Sequence, residues 1–196
     1  MYFKPQTSKA KSTAHAGQII VEAVVALSVL TFGFLGIMTL LSQSTSLSRT
    51  ASDSYTATYL AAEGIEIVKN LLDANIIRGK TENDWADGFK TRGRPAQAFE
   101  VQYDDTRPND FREIYGNRQY RFLRFDPVNR VYSYDGGTET LFRRNVGIFF
   151  PGFADPSQVG DEMRVTSRVW WTGRGGSEHS VQLDDIFYNW RPGGGP

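Results

Sequence analysis

From Ala23 to Leu41 the chain carries no charged residue and no proline, and about 20 apolar residues in a helix suffice to cross a hydrocarbon core of roughly 30 Å. The run is therefore expected to span a membrane. Upstream, Lys4, Lys9 and Lys11 stand without an acidic residue, and the positive-inside tendency keeps such an end cytoplasmic. The remainder of the chain is then expected to project outward. A secretory signal also pairs a basic start with an apolar core, but it is cut after that core at small residues. Here the run passes directly into a long helical pattern, with no loop to receive such a cut. An uncleaved anchor is the second rival, and hydropathy alone does not separate it.

The order of features does. The basic leader closes on Gly17-Gln18-Ile19-Ile20-Val21-Glu22, so a glycine is followed five residues later by a lone carboxylate at the mouth of the apolar run. A charged side chain in lipid costs at least a few kcal/mol, and its presence asks for a partner. At these residues the chain resembles the type IV prepilin family, which includes major and minor pilins and the pseudopilins of type II secretion. The resemblance implies cleavage by a prepilin peptidase between Gly17 and Gln18, possible N-methylation of Gln18, and an assembly role for Glu22. Two positions depart from the family pattern: Gln18 stands where phenylalanine or methionine is usual, and Ile19 where serine or threonine is common. Leu60 to Asn70, the Tyr132-Ser133-Tyr134-Asp135-Gly136-Gly137 turn and the closing Phe187-Tyr188-Asn189-Trp190 also look like a minor-pilin or pseudopilin-like group.

The chemistry of the motif is intelligible from its residues. Cleavage creates an amino group at Gln18, the nearest cation to Glu22. In a filament of staggered subunits, Glu22 of one copy can pair with the Gln18 amine of a neighbour and set the axial register; such a buried pair gives specificity more reliably than stability.

Past the span, Ala57, Leu60, Ala61, Gly64, Ile65, Val68, Leu71 and Leu72 recur at three- and four-residue intervals, while Glu63, Glu66, Lys69, Asn70 and Asp73 lie mostly off that stripe. One helix of more than about 50 residues, about 80 Å long, is predicted. Its first half is apolar all round and its second half is amphipathic, with Gly64 allowing close approach of a strand. Gly33 and Gly36 interrupt the first half, where each glycine weakens the helix by up to about 1 kcal/mol. They are expected either as points of helix flexibility, as the resemblance implies, or as a small-residue patch for packing in the membrane.

The polar stretch from Ile76 to Arg94 reads as an exposed connection. Strands are predicted at Ala98 to Tyr103, Gln119 to Phe125, Val131 to Tyr134, Leu141 to Phe149, Arg164 to Trp171 and Val181 to Trp190. The last two flank Gly173-Arg174-Gly175-Gly176 as a hairpin. The expected class is α+β and pilin-like: a long N-terminal helix, its first half transmembrane, packed on a C-terminal antiparallel sheet. The corresponding divisions are a leader at 1–17, the transmembrane and assembly half of the helix at 18–41, its amphipathic half at 42–75, a connecting region with one strand at 76–118, the sheet at 119–190 and a flexible tail at 191–196.

Composition narrows the function. The chain has 196 residues, with 22 basic and 22 acidic side chains and no cysteine. Removing the leader's lysines leaves the remainder slightly acidic, which disfavours nucleic acid as a partner because phosphate binding needs a concentrated basic face. Arg121, Arg124, Arg130, Arg143 and Arg144 do cluster among Phe122, Phe125 and Phe142; on strands this alternation is expected to give an aromatic core face and a solvated face. Without cysteine the outer domain has no disulfide, thiolate nucleophile or cysteine zinc site.

Catalysis is not expected. His15 lies in the leader, so His179 is the sole histidine after it. Glu178-His179-Ser180 places familiar residue types in a row, but neighbouring strand residues face opposite ways. The acidic pairs Asp104-Asp105 and Asp184-Asp185 read as surface. No cofactor is expected; calcium is the alternative, on Asp126-Pro127-Val128-Asn129 and Asp135-Gly136-Gly137-Thr138-Glu139, where turn chemistry explains the same residues.

The functional expectation is a structural subunit of a pilus or pseudopilus, leading with a minor pilin, with a type II secretion pseudopilin as the alternative and an uncleaved, membrane-anchored binding domain as the alternative of another class. The implied partners are other pilin subunits, the prepilin peptidase, an inner-membrane assembly platform and the membrane itself. The expected location is the cytoplasmic membrane as a single-pass precursor and then an extracellular pilus or pseudopilus.

Overall fold

The computed structural model describes residues 12–78, 85–89, 97–114, 120–151 and 162–190. The leader lysines, the tail at 191–196 and Gln119 lie outside them. The chain divides into two compact units, Met1–Thr50 and Ala51–Pro196, and the helix α1 (Ser12–Ile77) contributes to both. An N-terminal apolar helix and an antiparallel sheet make the layout α+β. The helix starts at Ser12, within the expected leader, so the Gly17–Gln18 peptide bond is helical.

In the second unit the strands are β1 (Gln97–Glu100), β2 (Arg112–Ile114), β3 (Phe122–Asp126), β4 (Val131–Ser133), β5 (Thr138–Phe149), β6 (Glu162–Thr172) and β7 (Glu178–Tyr188). They form one sheet, and every pairing among the described residues is antiparallel. β5 is its centre. One edge of β5 pairs with β3 near Arg143 and with β1 near Val146, while the other pairs with β6 from Phe142↔Trp171 to Phe149↔Arg164. β6 continues into β7 without a register shift, from Thr172↔Glu178 to Glu162↔Tyr188. The predicted hairpin is present, and Gly175 and Gly176 take φ of 98° and 82° in its turn, a conformation that favours glycine.

Two core clusters lie on the inner face. One joins Ala57, Leu60 and Ala61 of α1 to Leu123, Phe142, Val169 and Trp171; the other joins Ile67, Val68 and Leu72 to Phe99, Val146, Ile148, Met163 and Val165. Between them runs a seam of Gly64, Arg144 and Ser167, one residue each from α1, β5 and β6. A Cβ at Gly64 would lie 2.5 Å from Ser167 Oγ, 3.0 Å from Val146 Cγ2 and 3.2 Å from Arg144 Cδ. The absent side chain is what lets helix and sheet meet here.

Arg144 corrects the expectation that the arginines occupy a solvated face. It shares the inward parity of Phe142, Val146 and Ile148 and is fully buried. Its Nη1 donates to Leu60 O at 2.8 Å and lies 3.3 Å from Glu63 Oε2, and its Nη2 donates to Val101 O at 2.7 Å. One guanidinium thus ties the helix to the start of the sheet region. Above it, the Tyr134 hydroxyl donates to Arg144 O at 2.9 Å, and burial pushes this phenol up to about 12, so it remains a donor across the physiological range.

The stretch expected to be an exposed connection is corrected in the same way. Trp85, Ala86 and Phe89 are buried in the second cluster, and Asn75 Nδ2 donates to Trp85 O at 3.3 Å and to Asp87 O at 3.0 Å. The region expected to hold one strand also holds two, β1 and β2, which pair with each other.

Gly64→Ala provides a direct test. Alanine gains up to about 1 kcal/mol in helix propensity, but overpacking costs about 1–3 kcal/mol, and a 2.5 Å contact makes the second effect win. Thermal melts are expected to show a lower Tm for Gly64→Ala, with part of the loss recovered in the Gly64→Ala/Ser167→Ala double variant. An unchanged Tm would show that the helix does not press on the sheet at this point.

Candidate functional site

The first unit has its character set by what surrounds each side chain. Apolar side chains from Ile19 to Leu47 are exposed on all sides of the helix, from 47 % for Met38 to 75 % for Phe32. Among the described residues none covers them. The helix is long and apolar enough to cross a membrane. Its hydroxyls suit that setting: Ser28 Oγ donates to Val24 O and Thr31 Oγ1 to Leu27 O, both at 2.7 Å, and Thr39 Oγ1 to Leu35 O at 2.9 Å. Each of these three hydroxyls is satisfied within one turn, as a helix in lipid requires.

Glu22 is different. It lies on the exposed helix with Gln18 one turn before it, and it has no hydrogen-bond or ion-pair partner among the described residues. Gly17, Gln18, Val21, Glu22 and Val25 line one shallow, open surface of the helix. Gly17, Gly33 and Gly36 are all helical, and a Cβ added at any of them would meet nothing within 4 Å. The fold of the chain therefore gives none of these glycines a packing reason, and it accounts for none of the penalty that glycine carries in a helix.

The acidic pairs do not converge on a reaction centre. Asp105 Oδ2 accepts from Gln102 N at 2.8 Å. Burial raises its pKa, helped by Asp104 and Asp110, against the Gln102 hydrogen bond and Arg144. Asp184 Oδ1 accepts from Thr166 Oγ1 at 2.6 Å, and this bond, with those from Gln182, holds its carboxyl below the usual range. Asp185 accepts from the neighbouring Ile186 N. His179 stacks on Trp171 with ring centroids 5.4 Å apart.

In the two loops considered for calcium, the oxygen atoms have protein partners. Asp126 accepts from Val128 N at 2.8 Å and from Asn129 Nδ2 at 2.8 Å, and these bonds, the Val128 amide first, lower its pKa. Asp135 pairs with Arg121 and Glu139 with Arg124. Among the described residues no group of three or more His, Asp or Glu side chains is placed to hold a metal.

Sequence reasoning missed a buried acid beneath these loops. Glu100 accepts from Arg112 Nη1 at 2.8 Å, Arg121 Nε at 2.7 Å and Arg121 N at 3.0 Å. Its signal is faint, because Gln97 to Glu100 alternates over only four residues. No family model, curated protein or solved structure matched the chain.

Two outcomes are expected in solution. Asp105 has a folded pKa above its ordinary 3.8, so ionisation opposes folding and stability falls as pH rises through that window. Asp105→Asn retains an acceptor for Gln102 N; it should raise Tm at pH 7, with the gain vanishing below the ordinary carboxylate range. A gain that persists in acid would assign the effect to something other than ionisation. In the second experiment, millimolar calcium or a chelator should leave Tm unchanged, because the Asp126 carboxylate already closes its own turn; a calcium-dependent rise would assign an ion to these loops.

Proposed function

We propose that the chain is a type IV pilin-like structural subunit, cut after Gly17 by a prepilin peptidase and assembled through its N-terminal helix into a pilus, with a minor-pilin role leading. The observation that carries this reading is Glu22: a carboxylate without a partner among the described residues, on a helix whose apolar sides those residues leave exposed.

A plain anchor has no use for that charge, and lipid makes it costly. A filament supplies what is missing on both counts. Helices of neighbouring copies cover the apolar sides, and a neighbour's Gln18 amine, created by cleavage, neutralises Glu22 at one axial offset. Gly17 fits the same reading. Cleavage of a helical bond requires the backbone to open locally, and glycine loses less by leaving a helix than any residue but proline. The glycines at Gly33 and Gly36 offer later points at which the packed helix can unwind. Before assembly the protein is a single-pass protein of the cytoplasmic membrane; afterwards its second unit is displayed on the filament. A type II secretion pseudopilin uses the same steps and differs in the machine that drives them.

Glu22→Ala tests the reading. The variant is expected to enter membranes normally and to disappear from sheared filaments, with Glu22→Gln behaving likewise because the charge is what pairs. Normal incorporation of both variants would leave the chain as an anchored domain whose carboxylate is idle.

A further inference from the structure

The arginine and aromatic cluster in the middle of the chain leaves residues that assembly does not use. On the sheet face opposite α1, Phe122, Arg143, Trp170 and Ser180 form one cross-strand row, and Asn145, Arg168 and Gln182 form the next. The Arg143 guanidinium lies 4.1 Å from the centre of the Phe122 ring, and that of Arg168 lies 5.1 Å from the Trp170 ring. Tyr120 stacks on Trp170 at 4.9 Å and accepts from Asn145 Nδ2 at 3.2 Å.

These two cations lack a counter-charge among the described residues. On the same face Glu139 is engaged with Arg124, Glu162 with Arg164, and Asp184 with Thr166 and Gln182, while Glu178, one row beyond Ser180, forms no ion pair with either cation. Arg168 makes one long bond, 3.2 Å to Ser180 Oγ. Arg143 Nε is buried and has no acceptor among the described residues, which leaves its terminal nitrogens as the groups a ligand can reach. A guanidinium stacked on a ring uses its flat face and keeps its N–H edge for a planar acceptor, for which a carboxylate is the best geometric match.

We propose that this outer face is a recognition site for an acidic saccharide, a sugar chain bearing uronate carboxylates. The carboxylates would meet Arg143 and Arg168. Between and beside the two cations lie Asn145, Gln182 and Ser180, neutral groups that both donate and accept, as sugar hydroxyls demand. A phosphate backbone fits worse, since two arginines flanked by Asp184 and Glu178 do not make the continuous basic track it needs. An extended acidic peptide also fits worse. β5 and β6 are interior strands whose main chains are already paired, so a peptide lying on this face would find no backbone partners; strand addition takes place at an edge. The site is independent of assembly, and monomeric protein is sufficient to test it.

The experiment uses the full chain in detergent micelles and measures binding of oligogalacturonate, of its methyl ester and of polyglutamate. Oligogalacturonate is expected to bind, and esterification to weaken binding by about tenfold or more, the worth of a charged hydrogen bond. Arg168→Gln, an exposed change, should weaken binding of the free acid to a similar degree with an unchanged melting curve; Arg143→Gln should act in the same direction. Ester and acid binding equally, polyglutamate binding as tightly as the uronate, or wild-type binding by Arg168→Gln would each overturn the proposal.

Discussion

A helix that is apolar on every side has no stable place in water, and none of the described residues covers this one. From Ile19 to Leu47 the side chains stand exposed around the whole helix, an apolar area that monomeric soluble proteins do not present. Some other phase must take it up. Ser28, Thr31 and Thr39 turn back to carbonyls one turn earlier, so these hydroxyls ask nothing of their surroundings. Glu22, the one charged residue of the run, does. In the proposed cycle lipid covers the helix first and sister helices cover it later, and only the second environment brings a cation to Glu22.

The second half of α1 solves the opposite problem. It has one face to bury and a sheet to bury it on, with no disulfide to hold them together. The solution is close contact at Gly64 and one internal cation at Arg144. Placing a full positive charge at the junction is costly unless its hydrogen bonds are met; carbonyls from α1 and from the residue after β1 accept from its two terminal nitrogens, with Glu63 at the boundary, while its Nε is buried with no partner among the described residues. The seam splits the apolar core into two clusters. Helix position along the sheet is thereby specified as well as stabilised, because sliding α1 by one turn would bring Leu60 or Val68 against Arg144.

Much of this was legible in the sequence, for reasons that differ along the chain. The hairpin of β6 and β7 could be read because Val165, Val169 and Trp171 alternate with Arg164, Thr166 and Arg168 over a long run, and two glycines in a row mark the turn. Arg144 was misplaced because its charge was weighted above its parity; its spacing from Phe142, Val146 and Ile148 put it on the core face all along. Trp85 and Phe89 were lost in a polar stretch, where their four-residue spacing was too short a pattern to stand out. β2 is three residues long and forms because β1 offers it an edge, which no local signal announces. Of the candidate site, the order of Gly17, Gln18 and Glu22 could be read directly. Their partners could not, since the proposed reading places them outside the chain, in lipid and in other copies.

The most direct test of the central claim is the N-terminal mass of the protein recovered from membranes and from sheared surface material, with and without a prepilin peptidase. The account predicts a chain beginning at Gln18, dependent on the peptidase and present in the sheared fraction. A chain that keeps Met1 and never leaves the membrane would contradict it.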